Sequence, residues 1–251
     1  MSMRAPTTGG DAVDLPRRRL LAWGAALAGT VIAPGVMLYE VAWGRSPAEP
    51  ASGKVRWGLL VDLSRCPKDC DACVKACDAE NGLPAQKTAT SAQWIRKVEL
   101  KDARGGMRAI PMMCQHCAEP PCVDVCPTGA SFKRADGIVL VDRHACIGCR
   151  YCMMACPYGA RSFVHEPTTG QKSDVPRGKG CVESCTLCVH RIDRDGRPAC
   201  VEACEATGNR ALVFGDLNDP QSEIAKRVAG FASGVVRADL RLNPGVRYAG
   251  L

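Results

Sequence analysis

An α+β fold of short strands and short helices, in two small modules with one inserted in the other, is what this sequence predicts. Three observations carry the prediction. Seventeen cysteines fall among 251 residues, and sixteen of them sort into four quartets. Segments around those quartets repeat one another, the mark of a duplicated supersecondary unit. Aromatic residues make up only 5% of the chain, so a broad apolar core is poorly supplied and the cysteines must organise the interior. A net charge of +7 without a basic run gives no footprint for nucleic acid. A content of 24% charged and 46% hydrophobic residues excludes both a disordered chain and a polytopic membrane protein.

Residues 1–45 stand apart as an N-terminal twin-arginine signal segment. Arg17-Arg18-Arg19 leads into Leu20-Leu21 and an uncharged run to Ala33, a basic region followed by an apolar one. Apolar residues continue from Val36 to Trp43 without a clean cleavage site, so an uncleaved anchor is the other reading. Twin-arginine export carries proteins already folded. Thiols threaded unfolded into an oxidising compartment would scramble into disulfides, so the leader and the cysteine count agree. The expected location is the periplasm, at the periplasmic face of the inner membrane.

The quartets follow in order. Cys66, Cys70, Cys73 and Cys77 are spaced x3, x2, x3; Cys114, Cys117, Cys122 and Cys126 are spaced x2, x4, x3, with Pro127 next. Cys146, Cys149, Cys152 and Cys156 are spaced x2, x2, x3, with Pro157 next; Cys185, Cys188, Cys200 and Cys204 are spaced x2, x11, x3, leaving Cys181 over. The third group is the bacterial ferredoxin run C-x2-C-x2-C-x3-C-P, in which three cysteines wrap one cubane and the fourth reaches another. A tetrahedral zinc site uses paired C-x2-C units, which these triplets overfill. Disulfide frameworks usually staple chains shorter than about 100 residues. No C-x-x-C-H, G-x-G-x-x-G, P-loop or H-E-x-x-H motif occurs.

Ligand exchange between paired groups then predicts the sets. Groups two and three are adjacent and share the Cys-Pro ending, so they form an inserted ferredoxin-like module over 106–165. Groups one and four form the other, over 55–105 and 181–215. One cluster is expected on Cys114, Cys117, Cys122 and Cys156, and another on Cys146, Cys149, Cys152 and Cys126. A third is expected on Cys66, Cys70, Cys73 and Cys204, and the fourth on Cys185, Cys188, Cys200 and Cys77. The cofactors are thus four 4Fe–4S clusters with sixteen cysteine ligands to iron.

Strands are expected at Gly58–Val61, Gly137–Val141 and Ala211–Phe214. Val61-Asp62 precedes Cys66 as Val141-Asp142 precedes Cys146, and Cys126-Pro127-Thr128-Gly129-Ala130 rhymes with Cys156-Pro157-Tyr158-Gly159-Ala160. Glu166 to Gly180 reads as a polar loop presenting Lys172, Arg177 and Lys179 to solvent. In the tail, 216–251, Asp219-Pro220 is expected to cap and start a helix to about Ala229, with Ile224 and Val228 packed on the body. His116, His144 and His190 flank cluster loops and are expected at the surface or just behind the ligands; His165 belongs to a loop. Cys181 is expected to be a buried or idle thiol.

Across residues 55–215 the quartets resemble those of the four-cluster iron–sulfur subunits of membrane redox complexes, as in nitrite, polysulfide and dimethyl sulfoxide reductase systems. The residues Cys114-Gln115-His116-Cys117-Ala118-Glu119-Pro120-Pro121-Cys122 and Arg197-Pro198-Ala199-Cys200-Val201-Glu202-Ala203-Cys204 carry that resemblance. The leader, Cys66-Pro67-Lys68-Asp69-Cys70, Ala79-Glu80-Asn81-Gly82-Leu83-Pro84 and Val246-Arg247-Tyr248 are similar to the periplasmic subunits of complexes of dissimilatory sulfur metabolism. The resemblance implies a wire of four clusters between an integral-membrane quinone-interacting subunit and another redox subunit, such as a multihaem cytochrome c. It implies an electron-transfer subunit with no substrate site or catalytic residue of its own. Membrane association would come through partners or an uncleaved leader. Cys66-x3-Cys70 departs from the family's x2, so the potential or cluster type is expected to differ there.

Overall fold

A computed structural model describes residues 31–33, 36–37, 50–85, 87–101, 105–230 and 232–251. The twin-arginine pair and most of the apolar run lie outside the described residues. The chain divides into two compact units, Met1–Trp43 and Gly44–Leu251. In the first, β1 (Val31–Ala33) and β2 (Val36–Met37) pair antiparallel. No helix among the described residues is long and apolar enough to cross a membrane.

The second unit mixes short strands and short helices in an α+β arrangement. In order they are β3 (Trp57–Asp62), α1 (Ala72–Asn81), β4 (Ile95–Lys101), β5 (Met107–Met113), α2 (Pro121–Asp124), β6 (Ser131–Lys133) and β7 (Val139–Val141). Then come α3 (Tyr151–Ala155), β8 (Arg161–Phe163), β9 (Val182–Ser184), α4 (Val189–Ile192), α5 (Ala199–Ala206), β10 (Leu212–Asp216), α6 (Glu223–Gly230), β11 (Ser233–Gly234) and β12 (Val246–Ala249).

β3 organises the largest sheet, ordered β10-β3-β12-β11. Its side chains alternate between two faces, as a strand's must. Leu59 and Val61 join the cysteine-rich core, whereas Leu60 points the other way into a small cluster with Val213, Ile224 and Ala249. Both faces are therefore covered, and WGLLVD reads as a continuous apolar run for that reason.

The tail contributes more than packing. β12 lies parallel to β3, with Tyr248 opposite Val61, so the chain's end fills the sheet interior. The helix expected from Asp219 begins later, at Glu223, because Asp219 spends its carboxylate on a turn, accepting from the Gln221 N–H at 2.8 Å. Ser222 Oγ then accepts from the Ala225 N–H at 3.1 Å and caps the helix. Ile224 is fully buried and Val228 packs beside it.

Away from the sheet, β4 and β5 form a seven-residue hairpin, Ile95 opposite Met113, that the sequence pattern does not predict. It carries both sides of the 105/106 position where the sequence suggests a module boundary. β6–β7 and β8–β9 are shorter antiparallel pairs. Helix α1 packs on α5, and α2 packs on α3. Helix α1 ends at Gly82, whose φ of +63° is left-handed, and Leu83 donates back to the Asp78 carbonyl at 2.9 Å.

Candidate iron–sulfur sites

Each of the sixteen cysteines lies on a loop or on a short helix, and the fold gathers them into four sets. Cys66, Cys70, Cys73 and Cys204 line one hollow, here site A. Cys77 meets Cys185, Cys188 and Cys200, site B. Cys114, Cys117, Cys122 and Cys156 line site C, and Cys126, Cys146, Cys149 and Cys152 line site D. These are the sets that ligand exchange predicts: each quartet gives three sulfurs to one hollow and one to a neighbour. Cys181 joins none; its thiol donates to the Arg143 carbonyl at 3.3 Å, beside Cys146.

The sites neighbour one another in the order A, B, C, D. Cys200 of site B lies near Cys73 of site A. Cys114 of site C lies near Cys185 of site B, and Cys122 of site C lies near Cys152 of site D. Enclosure varies along that order. All four sulfurs of site B are buried, Cys66 and Cys70 of site A are half-buried, and Cys149 of site D is exposed.

The donor sets fit iron–sulfur clusters. Backbone N–H groups aim at ligand sulfurs: Ala211 at Cys204 (3.2 Å), Ser131 at Cys126 (3.3 Å), and Ala160 at Cys156, Val182 at Cys146 and Leu187 at Cys185 (3.5 Å each). Among the described residues no three His, Cys, Asp or Glu side chains converge as they would on a single ion. All seventeen cysteines stand as free thiols. Burial pushes Cys73 up to about 12, helped by Cys66, Cys204 and Cys70. Burial likewise pushes Cys117 and Cys185 up to about 12. Thiols so placed ionise readily only when a cation binds them.

Local structure explains the spacings. Gly148, within Cys146-x2-Cys149, has a φ of +70°, and a side chain there would run into the Gly180 carbonyl. In the widened loop Cys66–Cys70, Lys97 Nζ donates to the carbonyls of Pro67 (3.0 Å), Lys68 (2.7 Å) and Cys70 (2.8 Å). One ammonium thus holds the extra residue in place.

Two expectations, for Arg177 and Lys172, are corrected. Arg177 is no solvated loop residue: its guanidinium reaches the fully buried Glu183 at 2.7 Å and donates to the Gly82 carbonyl. Lys172 donates to the carbonyls of Ala79 and Glu80 at the end of α1; only Lys179 is simply exposed. His116 is 2% exposed, and its Nδ1 accepts from the Val139 N–H at 3.0 Å. Burial, with Arg161 nearby, pulls it down to about 3, so it is a neutral core residue. His190 faces Glu80 at 2.8 Å, while His144 and His165 are exposed.

Sequence reasoning missed three neighbours of the sulfurs: Lys97, Arg161 and the Gln115–Tyr248 pair. Gln115 Nε2 donates to the Tyr248 hydroxyl at 3.2 Å, and that hydroxyl donates to the Pro111 carbonyl at 3.1 Å. The tail therefore braces the loop between Cys114 and Cys117. Arg161 had a signal: it occupies the position that Ser131 holds in the matching repeat.

Comparison with known proteins agrees with this geometry. Two family profiles for a 4Fe-4S dicluster domain match, over residues 106–217 and 58–130. The chain is 43% identical to the Hdr-like menaquinol oxidoreductase iron-sulfur subunit 1 of Archaeoglobus fulgidus, over 94% of this chain and 97% of that one. It is 36% identical to a subunit of the tetrathionate reductase of Salmonella typhimurium, over 88% and 84%. It is 34% identical to the menaquinone reductase iron-sulfur cluster-binding subunit of Nitratidesulfovibrio vulgaris, over 68% and 79%. The chain belongs to this family of ferredoxin-type 4Fe–4S subunits of oxidoreductase complexes. Two dicluster domains correspond to four 4Fe–4S clusters, and such subunits transfer electrons without a catalytic site of their own.

Proposed function

Because the chain is a dicluster subunit, we propose that sites A to D hold its four clusters and relay electrons between a membrane quinone-interacting subunit and another redox subunit. The observation that carries this reading is the unbroken succession of four sulfur sets, open at both ends and closed in the middle. The chain's residues fix cluster positions, direct N–H donors at the sulfurs and keep water from site B. The clusters supply one-electron redox chemistry; the protein needs no acid, base or nucleophile. In this reading the module of sites C and D is inserted between the two segments that build sites A and B.

The working location is the periplasm, after twin-arginine export, and the setting is dissimilatory sulfur metabolism, in the manner of the DsrO subunit of the DsrMKJOP complex. The leader, the widened first group and the Val246-Arg247-Tyr248 ending support it. The relatives named for menaquinol and menaquinone oxidoreduction support the quinone link, and a multihaem cytochrome c subunit suits the other end. A second reading, favoured by the tetrathionate reductase relative at 36% identity, is the equivalent subunit of a tetrathionate, polysulfide, nitrite or molybdopterin reductase.

Anaerobic isolation of the full complex tests the first claim. Iron and acid-labile sulfide should match four cubanes, and reduced quinol should reduce them. Zinc in place of iron, or cystine with no labile sulfide, would defeat it.

A further inference from the structure

We propose that Arg161 is a shared tuning charge for sites C and D, raising the reduction potentials of both clusters relative to those at sites A and B. The proposal rests on the cluster assignment above. Arg161 opens β8 and is only 5% exposed. Its Nη2 donates to Cys122 Sγ at 3.1 Å and to Ser131 Oγ at 2.7 Å, and the guanidinium stands beside the Cys152 thiol. Cys122 belongs to site C and Cys152 to site D. Arg161 lines the hollow of site C and Ser131 that of site D, so the bond between them crosses the wall separating the two.

Among the described residues no carboxylate pairs with this cation. Its Nε and Nη1 are buried without a hydrogen-bond partner, and the groups facing it are the sulfurs of Cys122, Cys114 and Cys152. A buried guanidinium left without a counter-charge is strongly unfavourable. Thiolate-ligated clusters on either side are the counter-charge this geometry provides. Reducing a cluster adds one negative charge, so a fixed cation nearby favours the reduced form. Burial keeps water from screening that effect.

Among the described residues, sites A and B have no fully buried cation like it. Near site B, Arg191 is neutralised by Glu202 at 2.8 Å and Glu80 at 3.6 Å. Near site A, Lys97 acts on Cys66 and Cys73, but it is half-buried, so water screens its charge more than that of Arg161. The repeat shows the same asymmetry: five residues after the last cysteine stand Gly82 in group one and Asn209 in group four, both uncharged, against Ser131 and Arg161 in groups two and three.

The test uses the intact complex with wild type, Arg161→Gln, Arg161→Lys and Ser131→Ala. Iron and labile sulfide are measured first, then redox titrations followed by electron paramagnetic resonance. Wild type without iron would defeat the cluster assignment and not the role of the arginine. With clusters present, Arg161→Gln should lower two of the four couples, each with a roughly tenfold smaller reduced-to-oxidised ratio at fixed potential, or about 59 mV. Arg161→Lys should restore most of that shift, and Ser131→Ala, which keeps the charge, should move the same two couples less. Couples that do not move, or four that move together, would overturn the proposal. Should Arg161→Gln lose iron, the lysine variant decides: two couples near wild type support the proposal, and lost iron or four displaced couples refute it.

Discussion

Sites B and D use the same ligand chemistry in opposite surroundings. Cys77, Cys185, Cys188 and Cys200 are all buried, and helices α1 and α5, which carry Cys77 and Cys200, pack on each other from distant parts of the chain. At site D, Cys149 is exposed, and around it Ile147, Tyr151 and Met154 present apolar surface, Met154 at 83% exposure. A relay profits from both treatments. An enclosed middle keeps its charge from leaking to solvent, while an open end lets a partner approach, and exposed apolar residues commonly mark such contacts.

Breaking the middle should have the largest effect. Cys200→Ala is expected to lose the site B cluster and drop quinone-linked turnover to background. It should also lower the thermal midpoint, since cluster binding is part of folding energy; iron analysis and calorimetry of anaerobic protein check both. Cys149→Ala sharpens the contrast. It should stop turnover equally but lower the thermal midpoint less, because that corner is exposed; a fall as large as that of Cys200→Ala would abolish the distinction.

Smaller effects lie away from the sulfurs. Leu60→Ala empties a place between β3 and α6 and should cost about 2–5 kcal/mol in anaerobic urea unfolding. Its cluster spectrum should be unchanged, because Leu60 faces away from the cysteines. Tyr248→Phe removes the hydroxyl joining Gln115 to Pro111 and should cost about 1 kcal/mol. Smallest of all, Lys97→Met should alter the couple at site A alone; displacement of the site D couple would show that the two ends are not independent.

Much of the candidate site was legible because ligand spacing is a local property. Cys146-x2-Cys149-x2-Cys152 wraps a corner by geometry alone, and the departing fourth cysteine must reach elsewhere. Strand β3 was readable from its apolar run. The β4–β5 hairpin was not, since its strands mix Lys, Arg and Glu with apolar residues and its faces are only partly buried. Nor was Arg177, whose partner Glu183 lies six residues on and looks equally suited to solvent.

What the amino-acid order settles here is which three sulfurs of each quartet stay together, because covalent spacing limits their reach, and the α+β class follows from the same short elements. Only the three-dimensional arrangement decides the succession A to D, the enclosure of site B and the place of β12 beside β3. It alone sets Arg161 between two sets of thiols. Those features depend on contacts between residues far apart in the chain, and burial and field at a point are sums over such neighbours.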